Sequence, residues 1–283
     1  MDRFLVFQSL WAMLNHHGQA DLTLEEQVAQ IAQAGFDGVT GHYSNSVEAQ
    51  RLFSLASAAN LHVEGQLFPR TVDDLAAALD AVSAFGCHHL TLQADSRPRT
   101  LKEAITLVEG WQRLAEQVDF PILLETHRYR VTNDLLFTLA LLQEMPDLKL
   151  LADLSHYVVG RELPNPPGEE DNEQIQTILA HSWGFHGRVA SCEQIQIPIS
   201  FEHNRPWVDL FLDWWRYGIN HWLSRDRKME SLSFTCELGP PPYAITDKQG
   251  HDVVDRWAES LLMKEMIKEL WTDCMSDWSA SFA

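Results

Sequence analysis

Cysteine is scarce: four thiols, Cys87, Cys192, Cys236 and Cys274, are scattered through 283 residues with no CxxC pair. That pattern supports neither a disulfide framework nor a thiolate clasp, and it reads as a reduced, cytoplasmic chain. Basic charge is also scarce, with 21 Lys and Arg against 40 Asp and Glu and a net charge of −19. Such a surface repels phosphate backbones and anionic lipid, so neither nucleic acid nor membrane is expected as a partner. No apolar run approaches the roughly 20 residues of a membrane helix. The opening MDRFLVFQSLWAML differs from a signal peptide: Asp2 offsets Arg3, Gln8 and Ser9 interrupt the apolar run, and no small-x-small site follows. A glycine-rich dinucleotide fingerprint is missing as well, because the first apolar run continues into SLWAMLNHHG.

What is present is alternation. Short apolar or β-branched runs predict strands at 4–11, 36–43, 61–68, 88–93, 121–127, 148–157, 183–191 and 231–239. Between them, apolar residues three and four apart predict helices from Thr23 to Ala34 and over 46–60, 72–86, 101–118, 133–145, 173–182, 206–226 and 253–271. Thr23 with Glu26 forms a capping box, and Gly35 and Gly86 are placed as stops. The Pro- and Gly-rich segment 158–171 reads as a surface loop, and the residues after 271 as a frayed end. Strict alternation implies a parallel sheet. Eight strand–helix units in a chain of this length predict one α/β domain over 1–283, a (β/α)8 TIM barrel.

In such a barrel the C-terminal strand ends and the loops after them carry the chemistry. Strands five to eight end in Glu125, Asp153, His186 and Glu237, each closing an otherwise apolar run. An ionised group there is costly to bury without compensation, and a divalent cation would compensate all four at once. Taken singly, other roles are open: an ion pair for the two Glu, a helix cap or turn for Asp153, and a satisfied core imidazole for His186.

The motifs ETHR at 125–128, DLSH at 153–156, HGR at 186–188 and CELG at 236–239 resemble the xylose-isomerase-like barrels of sugar isomerases, ketose 3-epimerases and endonuclease IV type repair enzymes. The resemblance covers essentially the whole chain, with its specific motifs in the second half. It implies that Glu125, Asp153, His186 and Glu237 hold one divalent metal and that His156 contacts substrate. Arg188 is similar to a substrate-oxygen-binding Arg, although that residue lies further along its loop in the better-known epimerases. The mostly carboxylate ligand set favours Mn²⁺ or Mg²⁺, with Co²⁺ or Zn²⁺ as alternatives. The implied activity is metal-dependent isomerisation or epimerisation of a small-molecule sugar, a ketose or related hydroxy-carbonyl compound, with Glu125 and Glu237 as the acid/base pair. The alternatives are a barrel that binds a metabolite without turnover and a phosphodiesterase of the endonuclease IV type. The net charge opposes the latter.

Further candidates are Gln93, Gln66 and Glu64 as hydroxyl binders or ordinary mouth residues, and His127 behind Glu125. Arg128 is expected to pair with surface acids. His16, His17 and His42 are weaker candidates, and alternation points Cys236 outward. No clustered phosphate pocket is visible, which leans toward an unphosphorylated substrate. Trp214, Trp215 and Tyr217 exceed what one helix face needs, which leaves a homo-oligomer contact open. The stiff Pro240-Pro241-Pro242-Tyr243 segment either holds Tyr243 over the site or only turns the chain.

Overall fold

The computed structural model describes residues 4–16, 20–43, 45–82, 85–225 and 231–280. Eight parallel strands close into a barrel in chain order: β1 (Phe4–Ser9), β2 (Gly38–His42), β3 (His62–Leu67), β4 (His89–Leu92), β5 (Ile122–Glu125), β6 (Leu150–Ala152), β7 (Ser182–Gly187) and β8 (Leu232–Cys236). Closure comes from β1 pairing β8, with Phe4 opposite Leu232 and Gln8 opposite Cys236. Around the barrel lie helices α1 (Leu24–Gln33), α2 (Ser46–Ala58), α3 (Val72–Val82), α4 (Leu101–Ala115), α5 (Leu135–Glu144), α6 (Ser155–Gly160), α7 (Glu169–Ala180), α8 (Arg205–Ser224) and α9 (Arg256–Ala280). The architecture is the (β/α)8 barrel that the alternation predicts.

Local signals act where they are strongest. Thr23 and Glu26 form a reciprocal capping box at the start of α1, worth about 1 kcal/mol. Gly35 follows α1 at φ +71°, a conformation glycine adopts without a Cβ penalty. In α8, Val208, Phe211, Trp214, Trp215, Ile219 and Trp222 recur at three- and four-residue spacing and are buried. Each removes a large apolar surface from water, at roughly 1.5–3 kcal/mol per side chain.

Several boundaries differ from the sequence reading. Strands five and six end at Glu125 and Ala152 rather than at 127 and 157. The chain after β6 turns into α6 instead of a loop, because Asp153 accepts hydrogen bonds from the backbone N–H and hydroxyl of Ser155 and so starts a helical turn. The last helix runs to Ala280 rather than stopping at 271, with Cys274 fully buried on its inner face. Gly86 is at φ +66°, but residues 83 and 84, between it and α3, lie outside the described residues, as does His17.

The barrel interior under the mouth is polar. Thr40, Glu64, His89, Thr91, His186 and Thr235 are all essentially inaccessible to solvent. Burying so many polar groups is tolerable only if they satisfy one another.

Candidate active site

Glu125 is the last residue of β5, and Asp153 and Glu237 directly follow β6 and β8. His186 is the penultimate residue of β7. These are four adjacent strands of the ring, so the four side chains converge. One ligand atom from each lies within 4.8 Å of the others, and all four residues are buried. Four ligands of one divalent ion, each about 2.0–2.6 Å from it, are spaced no more than about 5 Å apart. Glu125 Oε2 and His186 Nδ1 are buried atoms without a hydrogen-bond partner among the described residues, as ligand atoms turned toward a cation would be. The residues therefore fit a divalent metal.

The other imidazole nitrogen explains the orientation. His186 Nε2–H donates to Glu64 Oε1 at 2.8 Å, which leaves Nδ1 facing Glu125 Oε1 at 3.5 Å and Glu237 Oε2 at 3.3 Å. Glu64 also accepts from the hydroxyls of Thr40 and Thr91 at 2.5 Å and Thr235 at 2.6 Å. A carboxylate behind a metal-facing imidazole sets its tautomer and raises its basicity. Burial raises the Glu64 pKa, but His186 and His89 outweigh it and hold the group well below its ordinary value. The sequence reading offered Glu64 as a hydroxyl binder or an ordinary mouth residue; it lies instead behind His186. Its signal was an acid in the middle of a strand rather than at its end.

Gln66 and Gln93, proposed from sequence as hydroxyl binders, donate to the two glutamates: Gln66 Nε2 to Glu237 Oε1 and Gln93 Nε2 to Glu125 Oε1, both at 3.2 Å. Arg188 is fully buried and binds the site itself. Its Nη1 donates to Asp153 Oδ2 at 2.7 Å, its Nη2 to Glu237 Oε2 at 2.8 Å and its Nε to the Glu237 carbonyl at 3.0 Å. His156 Nε2 lies 3.4 Å from Arg188 Nη1 and 3.5 Å from Asp153 Oδ2. His127 Nδ1 is 2.6 Å from the Arg128 carbonyl, and the rings of His127 and His156 meet tilted at 44° with their centres 3.8 Å apart. Glu125, His127 and His156 form a second group able to share an ion. Burial pushes His127 down to about 3 and, with His127 and Arg188 nearby, keeps His156 neutral.

The two glutamates differ in environment. Burial raises the Glu125 pKa well above its ordinary value despite the nearby His186. Burial opposes Glu237 too, but His186 and Arg188 overcome it and hold that carboxyl below the usual range. Burial raises Asp153 in spite of Arg188. For His186, burial is outweighed by Glu237, Glu64 and Glu125, so its pKa lies well above the ordinary value.

The proline segment does set Tyr243 over the site. The Tyr243 ring lies 6.4 Å from His156 and 5.1 Å, edge-on, from Trp11, with the Arg188 guanidinium 4.7 Å from its centre. Trp11 packs so closely on Gly239 that a Cβ there would fall 2.1 Å from its ring. Arg128 does not pair with surface acids as expected; its guanidinium lies 5.0 Å from the centre of the Tyr243 ring. His42, exposed at the end of β2, and His16, paired with Asp255 at 3.0 Å, stand apart from these contacts. Cys236 is buried in the apolar core, and burial raises its thiol pKa.

No protein-family model and no curated protein sequence matches the chain. Solved structures do. A D-allulose 3-epimerase from Methylomonas sp. is 16% identical at a TM-score of 0.62, over 95% of this chain and 98% of that one. A D-psicose 3-epimerase from Clostridium cellulolyticum H10 is 12% identical at 0.63, over 94% and 99%. A xylose isomerase-like TIM barrel protein from Mycobacterium smegmatis, solved with magnesium, is 12% identical at 0.63, over 95% and 97%. The chain thus shares its TIM-barrel fold with these structures over about 94–95% of its length. At these identities the likeness establishes the fold, and the chemistry has to be argued from the site.

Proposed function

We propose that the protein is a divalent-metal-dependent isomerase or epimerase of a small hydroxy-carbonyl compound, a ketose or close relative. The observation that carries this reading is geometric: Glu125, Asp153, His186 and Glu237 converge at adjacent strand ends, with the two buried glutamates within 3.5 Å of His186 Nδ1. Two carboxylates placed in this way can remove a proton on one side of a substrate and return one on the other, the division of labour that acid/base chemistry uses. Glu125, Asp153, His186 and Glu237 would hold the metal, Mn²⁺ or Mg²⁺ by their hard oxygen donors. When bound, the cation supplies polarisation of a carbonyl and its neighbouring hydroxyl, which acidifies the C–H between them.

The chain's own residues do the rest. Gln66 and Gln93 each fix one carboxylate oxygen, so a proton taken by Glu125 or Glu237 is held at a defined position. His127 and His156, kept neutral, present imidazoles able to donate to or accept from substrate hydroxyls. Tyr243 and Trp11, packed edge to face beside Arg188, would screen the reacting carbon from water.

The test is hydrogen exchange at carbon. The Mn²⁺-loaded protein, incubated with ketoses in D₂O, is expected to incorporate deuterium next to the carbonyl. Glu125→Gln and Glu237→Gln should each retain most metal and lose turnover, and one of them should still exchange label from one epimer without net conversion. His186→Ala should instead lose the metal and regain part of its activity at high Mn²⁺. Full exchange in both Glu variants would remove the carboxylate pair from the mechanism. Metal binding without any exchange would leave a barrel that binds a metabolite and does not convert it.

A further inference from the structure

Arg128 is an anomaly in a chain with 19 surplus negative charges. Among the described buried and half-buried arginines, the others each have a hydrogen bond or ion pair with a carboxylate or carbonyl oxygen: Arg188 with Asp153 and Glu237, Arg256 with Asp252, Arg225 with Ser182, Arg130 with Asp95. The half-buried Arg128 has none; its contact is the face of Tyr243, 5.0 Å away. A guanidinium drawn partly out of water and left without a counterion is a costly arrangement. It makes sense as a receptor for a negative group that arrives from outside.

Its position is that of a substrate contact. Arg128 follows His127 in the loop after β5, three residues past Glu125. The same Tyr243 ring carries the Arg188 guanidinium at 4.7 Å, and Arg188 in turn holds Asp153 and Glu237. Arg128 and Arg188 thus share the Tyr243 ring as a neighbour, and Arg188 is bonded to the acid cluster. The neighbouring mouth is positive as well. Arg70, Arg97 and Arg130 all contact the one carboxylate of Asp95, at 2.9, 2.7 and 3.1 Å. Asp74, which accepts from the Arg70 backbone N–H at 2.9 Å, is a second acid here, so three cations face two anions, a small local surplus of positive charge on that side of the opening. Arg188, similar in sequence to a substrate-oxygen Arg, donates to Asp153 and Glu237 instead, and Arg128 is the guanidinium still available.

We infer that the substrate carries an oxyanion, a carboxylate or a phosphate ester, and that Arg128 receives it at the barrel mouth while the hydroxy-carbonyl end meets the Glu125–Asp153–His186–Glu237 cluster. The inference rests on the proposed sugar chemistry for that second end. A planar carboxylate or a phosphate can take two parallel N–H bonds from one guanidinium, which no neutral hydroxyl can match.

Calorimetric titration of the Mn²⁺-loaded protein with D-ribulose, D-ribulose 5-phosphate and D-tagaturonate, a hydroxy-ketone with a terminal carboxylate, tests this. At least one anionic probe should bind about tenfold or more tightly than D-ribulose. Arg128→Gln should abolish that advantage and leave D-ribulose and Mn²⁺ affinity within about twofold of wild type, and Arg128→Lys should restore part of it. Preference for the tagaturonate identifies a keto sugar acid, and preference for the phosphate a phosphorylated sugar. Equal binding of neutral and anionic probes, or an anion advantage that survives in Arg128→Gln, overturns the inference. Carbon exchange in D₂O, run on the same probes, separates the two readings. Exchange from D-ribulose with no anion advantage removes the Arg128 role and leaves the isomerase. An Arg128-dependent anion advantage without exchange from any probe does the reverse.

Discussion

Glu64→Gln isolates the contribution of a carboxylate that would touch neither metal nor substrate. Glu64 is fully buried and accepts from four donors: the hydroxyls of Thr40, Thr91 and Thr235 and the Nε2–H of His186. Glutamine has nearly the same shape but only one acceptor oxygen, and it adds two N–H donors. The three hydroxyls can rotate to accommodate it. The imidazole has no such freedom. Where the new amide N–H faces Nε2, the proton of His186 moves to Nδ1, the atom that lies 3.3 Å from Glu237 and 3.5 Å from Glu125. A protonated Nδ1 is no longer a ligand. Loss of a partner behind a metal ligand typically costs about 10–100-fold in metal affinity, which is about 1.4–2.7 kcal/mol. The assay is calorimetric titration of Mn²⁺ into wild type and variant at pH 7.5, with circular dichroism to show that the barrel is intact. A folded Glu64→Gln protein binding Mn²⁺ within about twofold of wild type would refute the reasoning, since the imidazole would then need no carboxylate behind it.

Two further outcomes follow from the buried charges. Arg188→Gln removes the only guanidinium among the described residues bonded to both Asp153 and Glu237, and uncompensating buried carboxylates costs about 3–5 kcal/mol. Saturating Mn²⁺ should return much of that loss in thermal denaturation, and an equal loss with and without Mn²⁺ would contradict a shared electrostatic role. His88, bonded to His89 Nδ1 at 2.8 Å and to Ser231 Oγ at 2.7 Å, is pushed down to about 3, chiefly by burial. It is therefore neutral in the fold and protonated in the unfolded chain below about 6.5, so its contribution to stability is present above that pH and is lost as pH falls toward 3. The difference at pH 5 is about 2 kcal/mol. Denaturant titrations from pH 7 to 4 should show a shallower pH dependence for His88→Gln than for wild type, and equal slopes would exclude His88 as the source.

Much of this protein could be read without coordinates. Strict alternation of short apolar runs with helical periodicity admits few architectures, and the barrel is the one observed. The site acids were legible for a related reason: Glu125, Asp153, His186 and Glu237 are ionisable residues ending apolar strands, a placement that marks them against their neighbours. Partnerships across the ring were not legible. Glu64 meets His186 across 122 positions, and Gln66 meets Glu237 across 171. Nothing in local periodicity encodes which inward side chains face each other once β8 closes onto β1. Arg188 and Arg128 make the same point from opposite sides. Two arginines in similar loops carry similar sequence signals, yet one is spent on buried carboxylates and the other rests unpaired on Tyr243. That division depends on distances of a few ångströms between loops far apart in the chain, so local sequence specified the elements and the strand-end acids, while closure of the barrel decided which charges meet a partner.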